Sequence, residues 1–172
     1  MTTINDPLFG TLEVREEKGW SGKAHVPFLD QEFELQITNT GSPTPNEAQR
    51  EAWQQFMALQ SQLKTSVEQA LYQHYNKNLE QFRIPFEKAE AQEFAPDLEN
   101  PSDIWALLEA KQWLWLDTTE SGTPTIMIEF ATRWDEEHGI MLEFFQGQIG
   151  LSEGGVPWEQ QNRYDLQGVE VT

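Results

Sequence analysis

Hydrophobic and polar residues alternate along several short stretches of this chain and change to helical spacing in one long one. Ile126, Ile128 and Phe130 alternate with Met127, Glu129 and Ala131. Further on, Ile140, Leu142 and Phe144 alternate with Met141, Glu143 and Phe145. A period of two marks a strand. Between these runs lies Trp134-Asp135-Glu136-Glu137-His138-Gly139, in which Gly139 can take the positive φ of a tight reversal. The pattern predicts a hairpin. Three earlier strands are predicted at Thr11–Arg15, Trp20–Val26 and Asp30–Thr38, after a polar tail. Their close spacing favours an antiparallel meander. Gln112 to Asp117 (QWLWLD) predicts one more, with Trp113 and Trp115 on one face and Leu114 and Leu116 on the other. A strand apolar on both sides is expected to be covered on both, or else to show its aromatics to a partner.

The helical stretch begins at Thr44-Pro45-Asn46-Glu47, where Thr44 can cap, Pro45 fits the first turn and Glu47 completes a capping box. Ala52, Phe56, Leu59, Leu63, Val67, Leu71 and Tyr75 then follow at helical spacing, with no Gly or Pro from Asn46 to Ile84. One long helix over 44–76 is expected, its apolar stripe packed on the sheet. Pro85 and Pro96 interrupt the next region, where short helices are expected at Lys88–Phe94 and after Asn100. The fold class expected is α+β: an antiparallel sheet of about six or seven strands with one long helix and one or two short helices against it. A single domain spans 1–172, with strands in 1–38, the long helix in 44–76, loop and short helices in 77–110, strands in 112–150 and a C-terminal extension in 151–172.

Composition adds a packed core, with 38% hydrophobic and 12% aromatic residues. There is no Cys, hence no disulfide framework and no thiolate metal site. Residues 1–20 lack a leader pattern and no apolar run reaches membrane length, so a cytoplasmic protein is expected. Net charge is -18, with 14 acids to 8 bases in residues 1–93 and 15 to 3 in residues 94–172. Such a surface repels nucleic acid and anionic membrane and steers toward a basic protein partner.

Candidate chemistry is sparse. There is no GxGxxG, no GxxxxGK[ST] and no GxSxG, and His25, His74 and His138 do not have HExxH spacing. No cofactor, metal or catalytic residue is therefore assigned. The cluster Asp135, Glu136, Glu137 and His138 is the one place where a His lies beside three carboxylates. Acid–base work and oxygen ligation of a divalent cation are both open to such residue types. Consecutive residues of an extended turn point in different directions, however, and a solvated turn or a binding surface is expected. Glu153 extends the acidic surface, and Trp113, Trp115 and Trp158 are the candidate aromatic contacts.

The order Asp6-Pro7-x-Phe9-Gly10, Trp20 and Gly22, then Pro45 with Glu47, Gln49 and Arg50, then Trp134 to Gly139 (WDEEHG) carries a resemblance. It resembles a family of uncharacterised bacterial domains with an early Phe-Gly/Trp pattern and a late Trp-Asp-x-Glu-His-Gly hairpin. Such domains look like those associated with polymorphic-toxin immunity loci. The resemblance spans most of residues 6–150 and supplies no catalytic residues. It implies a non-enzymatic binding protein, an immunity protein that occludes the basic site of a cognate toxin domain. The alternatives are an enzyme or metal-binding protein using Asp135–His138, and a structural or adaptor subunit.

Overall fold

The computed structural model describes residues 1–171. Nine strands form one sheet in strict sequence order: β1 (Thr3–Asp6), β2 (Gly10–Val14), β3 (Gly19–Val26), β4 (Gln31–Thr38), β5 (Leu108–Thr118), β6 (Pro124–Thr132), β7 (Ile140–Phe145), β8 (Gln148–Ser152) and β9 (Asn162–Tyr164). Every neighbouring pair is antiparallel except β4 and β5, which run parallel with Leu35 beside Leu114 and Ile37 beside Leu116. The expectation of six or seven antiparallel strands is thus corrected on both counts: there are nine, and the sheet is mixed. The parallel pair follows from the connection. A chain that leaves β4 at Thr38 and returns at Leu108 has the length a parallel crossover needs. The additional strands are β1, β8 and β9, which lie at or near the two edges of the sheet.

The same connection carries the helices α1 (Glu47–Ala58), α2 (Gln60–Arg83) and α3 (Lys88–Phe94), followed by a 3-10 segment (Pro101–Leu107). The single helix expected over 44–76 is therefore two helices, and the second continues to Arg83. Asn46, not Thr44, caps α1, and its capping box closes through Gln49, not Glu47. The break at Leu59 has a tertiary cause. Buried Gln60 donates to the Phe56 carbonyl at 3.1 Å and accepts from the Phe28 backbone N–H at 3.0 Å. One side chain thus ties the junction to the turn between β3 and β4.

Because one connection holds all these helices, they cover one face of the sheet. That face carries Phe33, Leu35, Ile37, Leu114, Leu116, Ile126, Ile128, Phe130, Ile140, Leu142, Ile149 and Leu151, all buried in the core with Trp53, Phe56, Leu63, Val67, Leu71 and Tyr75 from the helices. The opposite face carries Glu32, Glu34, Trp113, Trp115, Met127, Glu129 and Met141. No helix covers it. Trp113 is 37% exposed there, while Trp115, Met127 and Met141 are half-buried. The expectation that helices would cover QWLWLD on both sides is corrected: Leu114 and Leu116 are covered by them, and the two tryptophans are not.

The C-terminal extension has defined structure. After β8 the chain crosses the helix-free face, with Trp158 edge-on to Phe145 at 5.1 Å. Gly150 beneath it has no room for a side chain, since an added Cβ would stand 2.1 Å from Gln161 Oε1 and 2.4 Å from Trp158. The segment after β9 then meets α2, where Ser66 and Gln73 donate to the carbonyls of Leu166 and Gly168.

Candidate partner-binding site

The Trp134–Gly139 run forms the turn between β6 and β7. Its shape is set by a few local bonds. Thr132 Oγ1 donates to the Asp135 carbonyl at 3.1 Å, and Gly139 N donates to the same oxygen at 2.9 Å. Gly139 takes φ +63°, and an added Cβ would stand 2.3 Å from the Phe130 carbonyl. Only Gly fits there. Asp135 accepts the His138 backbone N–H at 3.0 Å and approaches His138 Nδ1 at 3.1 Å. Glu136 and Glu137 project into solvent. The turn thus brings Asp135 and His138 together and sends the other two carboxylates away. Among the described residues, no three His, Asp or Glu side chains converge as a metal site would require.

The residue before this cluster does more to build a site. Trp134 is 3% exposed, stacked on Phe82 at 5.2 Å and tilted against Tyr75 at 5.0 Å. Burial pushes the Tyr75 phenol well above its ordinary pKa, so it remains a neutral donor to the Pro96 carbonyl at 2.6 Å. Phe86, just before α3, and Phe94, its last residue, stack on each other at 5.4 Å. Arg133 lays its guanidinium over Phe94 at 5.6 Å, with Glu93 at 3.9 Å. Together the end of α2, α3 and the turn border an open cleft of about 520 Å³, with Phe82, Phe86, Phe94, Arg133 and Trp134 as walls and Asp135–His138 as lip. The chain beside it is strongly acidic: between residues 87 and 109, Glu87, Glu90, Glu93, Asp97, Glu99, Asp103 and Glu109 face a single base, Lys88.

The other candidate residues divide. Glu153 accepts from His74 Nε2 at 2.5 Å, and Asn162 Nδ2 lies 2.8 Å from His74 Nδ1. That chain joins α2 to the ends of β8 and β9, so Glu153 is a fastening rather than a free surface charge. The next residue, Gly154, adjoins the turn, since a Cβ added there would lie 4.0 Å from the His138 ring. Trp113 and Trp115 lie on the helix-free face, away from the cleft-lining residues. Trp158 is half-buried against Phe145 and anchors the C-terminal crossing.

Sequence reasoning missed the aromatic walls, because Phe82, Phe86 and Phe94 are spread over two helices and the loop between them. It also missed a buried ion pair. Asp6 accepts from the backbone N–H of Leu8 and Phe9 and from both terminal nitrogens of Arg50, one of them at 2.9 Å. This pair unites the Asp-Pro-x-Phe-Gly stretch with the Gln49-Arg50 stretch, two motifs read separately in the sequence.

The fold and the cleft define an α+β protein built on one mixed sheet. The chain belongs to the family described as Domain of unknown function (DUF6985), whose profile matches residues 8–154. That description names no activity, partner or toxin locus. No curated protein and no solved structure gives a significant match. The Trp158 crossing and β9 lie beyond the matched range.

His138→Ala and Glu136→Gln are expected to leave folding stability within about 0.5 kcal/mol of wild type, because both side chains are exposed and make at most local contacts. Urea denaturation of the two variants checks this. A larger loss in either would show that the turn carries structural weight.

Proposed function

We infer that this is a non-enzymatic binding protein whose acidic end docks a basic protein surface. The form we propose is an immunity protein that neutralises a toxin by covering a basic substrate site. The observation that carries this reading is the aromatic-walled cleft set in the most acidic part of the chain. Buried aromatics supply affinity, and surrounding charge supplies speed and selectivity of encounter. Acid–base catalysis is supported less, because the carboxylates of the turn diverge and the Asp135–His138 pair is open to water. A substrate whose conversion falls about a hundredfold in both His138→Ala and Glu136→Gln would reverse that judgement.

The test is capture and stopped-flow kinetics with the purified product of the adjacent gene. The association rate is expected to fall roughly tenfold or more as the screening length shortens from about 30 Å at 0.01 M salt to about 8 Å at 0.15 M. Dissociation should change less, since close contacts hold the formed complex. Charge reversal at exposed Glu90, Glu136 and Glu137 should slow association more than reversal at Glu13, Glu16 and Glu17. An association rate indifferent to salt, or equal loss in the two triple variants, would remove the charge argument.

The helix-free face favours a second reading as an adaptor. There Trp113, Trp115, Met127 and Met141 form an aromatic and thioether patch between acidic flanks, the kind of surface that marks an interaction site. Light scattering at physiological salt separates the two. A stable self-complex abolished by Trp113→Glu supports the adaptor.

A further inference from the structure

We propose that the cleft between α2, α3 and the Arg133–His138 turn is a receptor for one arginine residue of an extended basic segment. The proposal deepens the protein-binding reading and rests on it only for the partner's basic character.

Three observations carry it. The first is shape: about 520 Å³ lies within the range of pockets that enclose a small ligand group. The second is wall chemistry. Phe82 and Phe86 line the cleft beside a carboxylate lip, and a cation over an aromatic face is attracted by the ring quadrupole, more strongly as water leaves. A guanidinium suits this better than an ammonium, because it is planar, weakly hydrated and able to stack. The chain itself shows the pairing within the same cleft, where Arg133, also a lining residue, covers Phe94 and meets Glu93. Arg133 is thereby matched locally. Glu136 and Glu137 are not: among the described residues neither takes part in an ion pair.

The third observation distinguishes an arginine residue from a bare cation. Trp134, which lines the cleft, has a buried indole N–H with no acceptor. A buried donor left unpaired is unfavourable, because it has lost its hydrogen bonds to water and gained none. A cation cannot relieve it. In the free chain this N–H is closed to solvent, so relief by the main-chain carbonyl of an incoming residue requires the indole to tilt toward the cleft. An extended segment brings both groups at once: the guanidinium goes to the aromatic wall and carboxylate lip, and the carbonyl to Trp134.

The experiment is a two-dimensional ¹H–¹⁵N NMR titration of the full chain with N-acetyl-L-arginine methylamide. N-acetyl-L-norleucine methylamide serves as an uncharged, apolar control. The Trp134 indole signal is assigned by triple-resonance spectra, so no folding-sensitive variant is needed. The arginine compound is expected to move the Trp134 indole signal and the amides of residues 133–138, with a dissociation constant in the millimolar range. The norleucine compound should bind about tenfold more weakly. The double variant Glu136→Gln/Glu137→Gln should raise the arginine constant about three- to tenfold, and Glu16→Gln/Glu17→Gln should leave it unchanged. Absent shifts, shifts confined to other surfaces, equal binding of norleucine, or an unchanged constant in the first double variant would each overturn the receptor. Capture of a basic partner with salt-sensitive association would still stand after such a failure. Loss of capture alone, with the titration intact, would instead remove the protein-binding reading.

Discussion

Asp6→Ala is expected to destabilise the fold by about 3–5 kcal/mol, the cost of breaking a buried ion pair by removing one partner. In a chain of this size that lowers the melting temperature by roughly 6–20 °C. The Asp6 side chain is 2% exposed and that of Arg50 is 21% exposed. The carboxylate satisfies two backbone donors and a guanidinium fork together, so alanine strands all of them. Arg50 also donates to the Pro45 carbonyl at 3.1 Å and lies over the Phe9 ring at 5.8 Å. The pair thus locks the β1–β2 turn to the first turn of α1. Arg50→Ala should cost a similar amount, and the double variant distinctly less than the two costs combined. Additive losses would show that the two side chains act independently.

The same pair gives stability a definite pH dependence. Hydrogen bonds from Arg50 hold the Asp6 carboxyl down at about 2 from its ordinary 3.8, assisted by the backbone N–H groups of Phe9 and Leu8 and opposed by burial. A carboxyl depressed in the folded state contributes stability that is complete above the unfolded pKa. That contribution is lost as pH falls through the folded one. The window is therefore from about pH 4 down to about pH 2, and the shift is worth about 2 kcal/mol. Unfolding free energies from urea melts across that window should fall more steeply for wild type than for Asp6→Asn. Parallel slopes would mean that other carboxylates govern the acid transition.

How much of this was legible in the sequence depends on how far each cause reaches along the chain. Strands with alternating apolar residues announce themselves, as β4 and β6 do. The edge strands do not: β1 reads TIND and β9 reads NRY, too short and too polar for a period to show. In β8 the alternation of Ile149 and Leu151 stops at Ser152-Glu153-Gly154-Gly155, which reads as a turn. The break at Leu59 has no local signal, because its cause is the Gln60 contact with the Phe28 backbone across 32 residues. The alternation of QWLWLD was plain, but not which face would be covered. That follows from topology, since α1, α2 and α3 all lie in the β4–β5 connection. For the site, the acidic turn was legible and its depth was not. Trp134 is the hinge between the two: its neighbours in sequence are charged, and its neighbours in space are Tyr75 and Phe82. Asp6 and Arg50 did carry a signal, an acid directly before the apolar Pro-Leu-Phe stretch and an Arg one turn into an amphipathic helix. Their separation of 44 residues hid the pairing.

Phe56→Ala is expected to cost about 3–5 kcal/mol and Leu63→Ala about 2–5 kcal/mol, from lost burial plus the cavity each leaves. Phe56 is 3% exposed and Leu63 is fully buried. They stand on either side of the Leu59 break, Phe56 packing against Trp53 at 5.5 Å and Phe144 at 5.1 Å. Both also line a second, apolar groove of about 250 Å³ between the α1–α2 junction and the strands β6 and β7. Truncation therefore enlarges an existing hollow, and the ends of β6 and β7 cannot close over it without moving the sheet. Leu71, 1% exposed and away from that groove, provides the comparison. Leu71→Ala leaves a sealed void, whereas the space left by Phe56→Ala is open to water or to an apolar additive. All three variants should melt clearly below wild type. A small apolar probe such as benzene should restore part of the loss in Phe56→Ala and Leu63→Ala, because a ligand that binds only the folded state raises its stability by mass action. Melting within a degree or two of wild type for Phe56→Ala and Leu63→Ala would show that the helix stripe is not core. Restoration of Leu71→Ala alone would show that the groove does not reach the space these side chains fill.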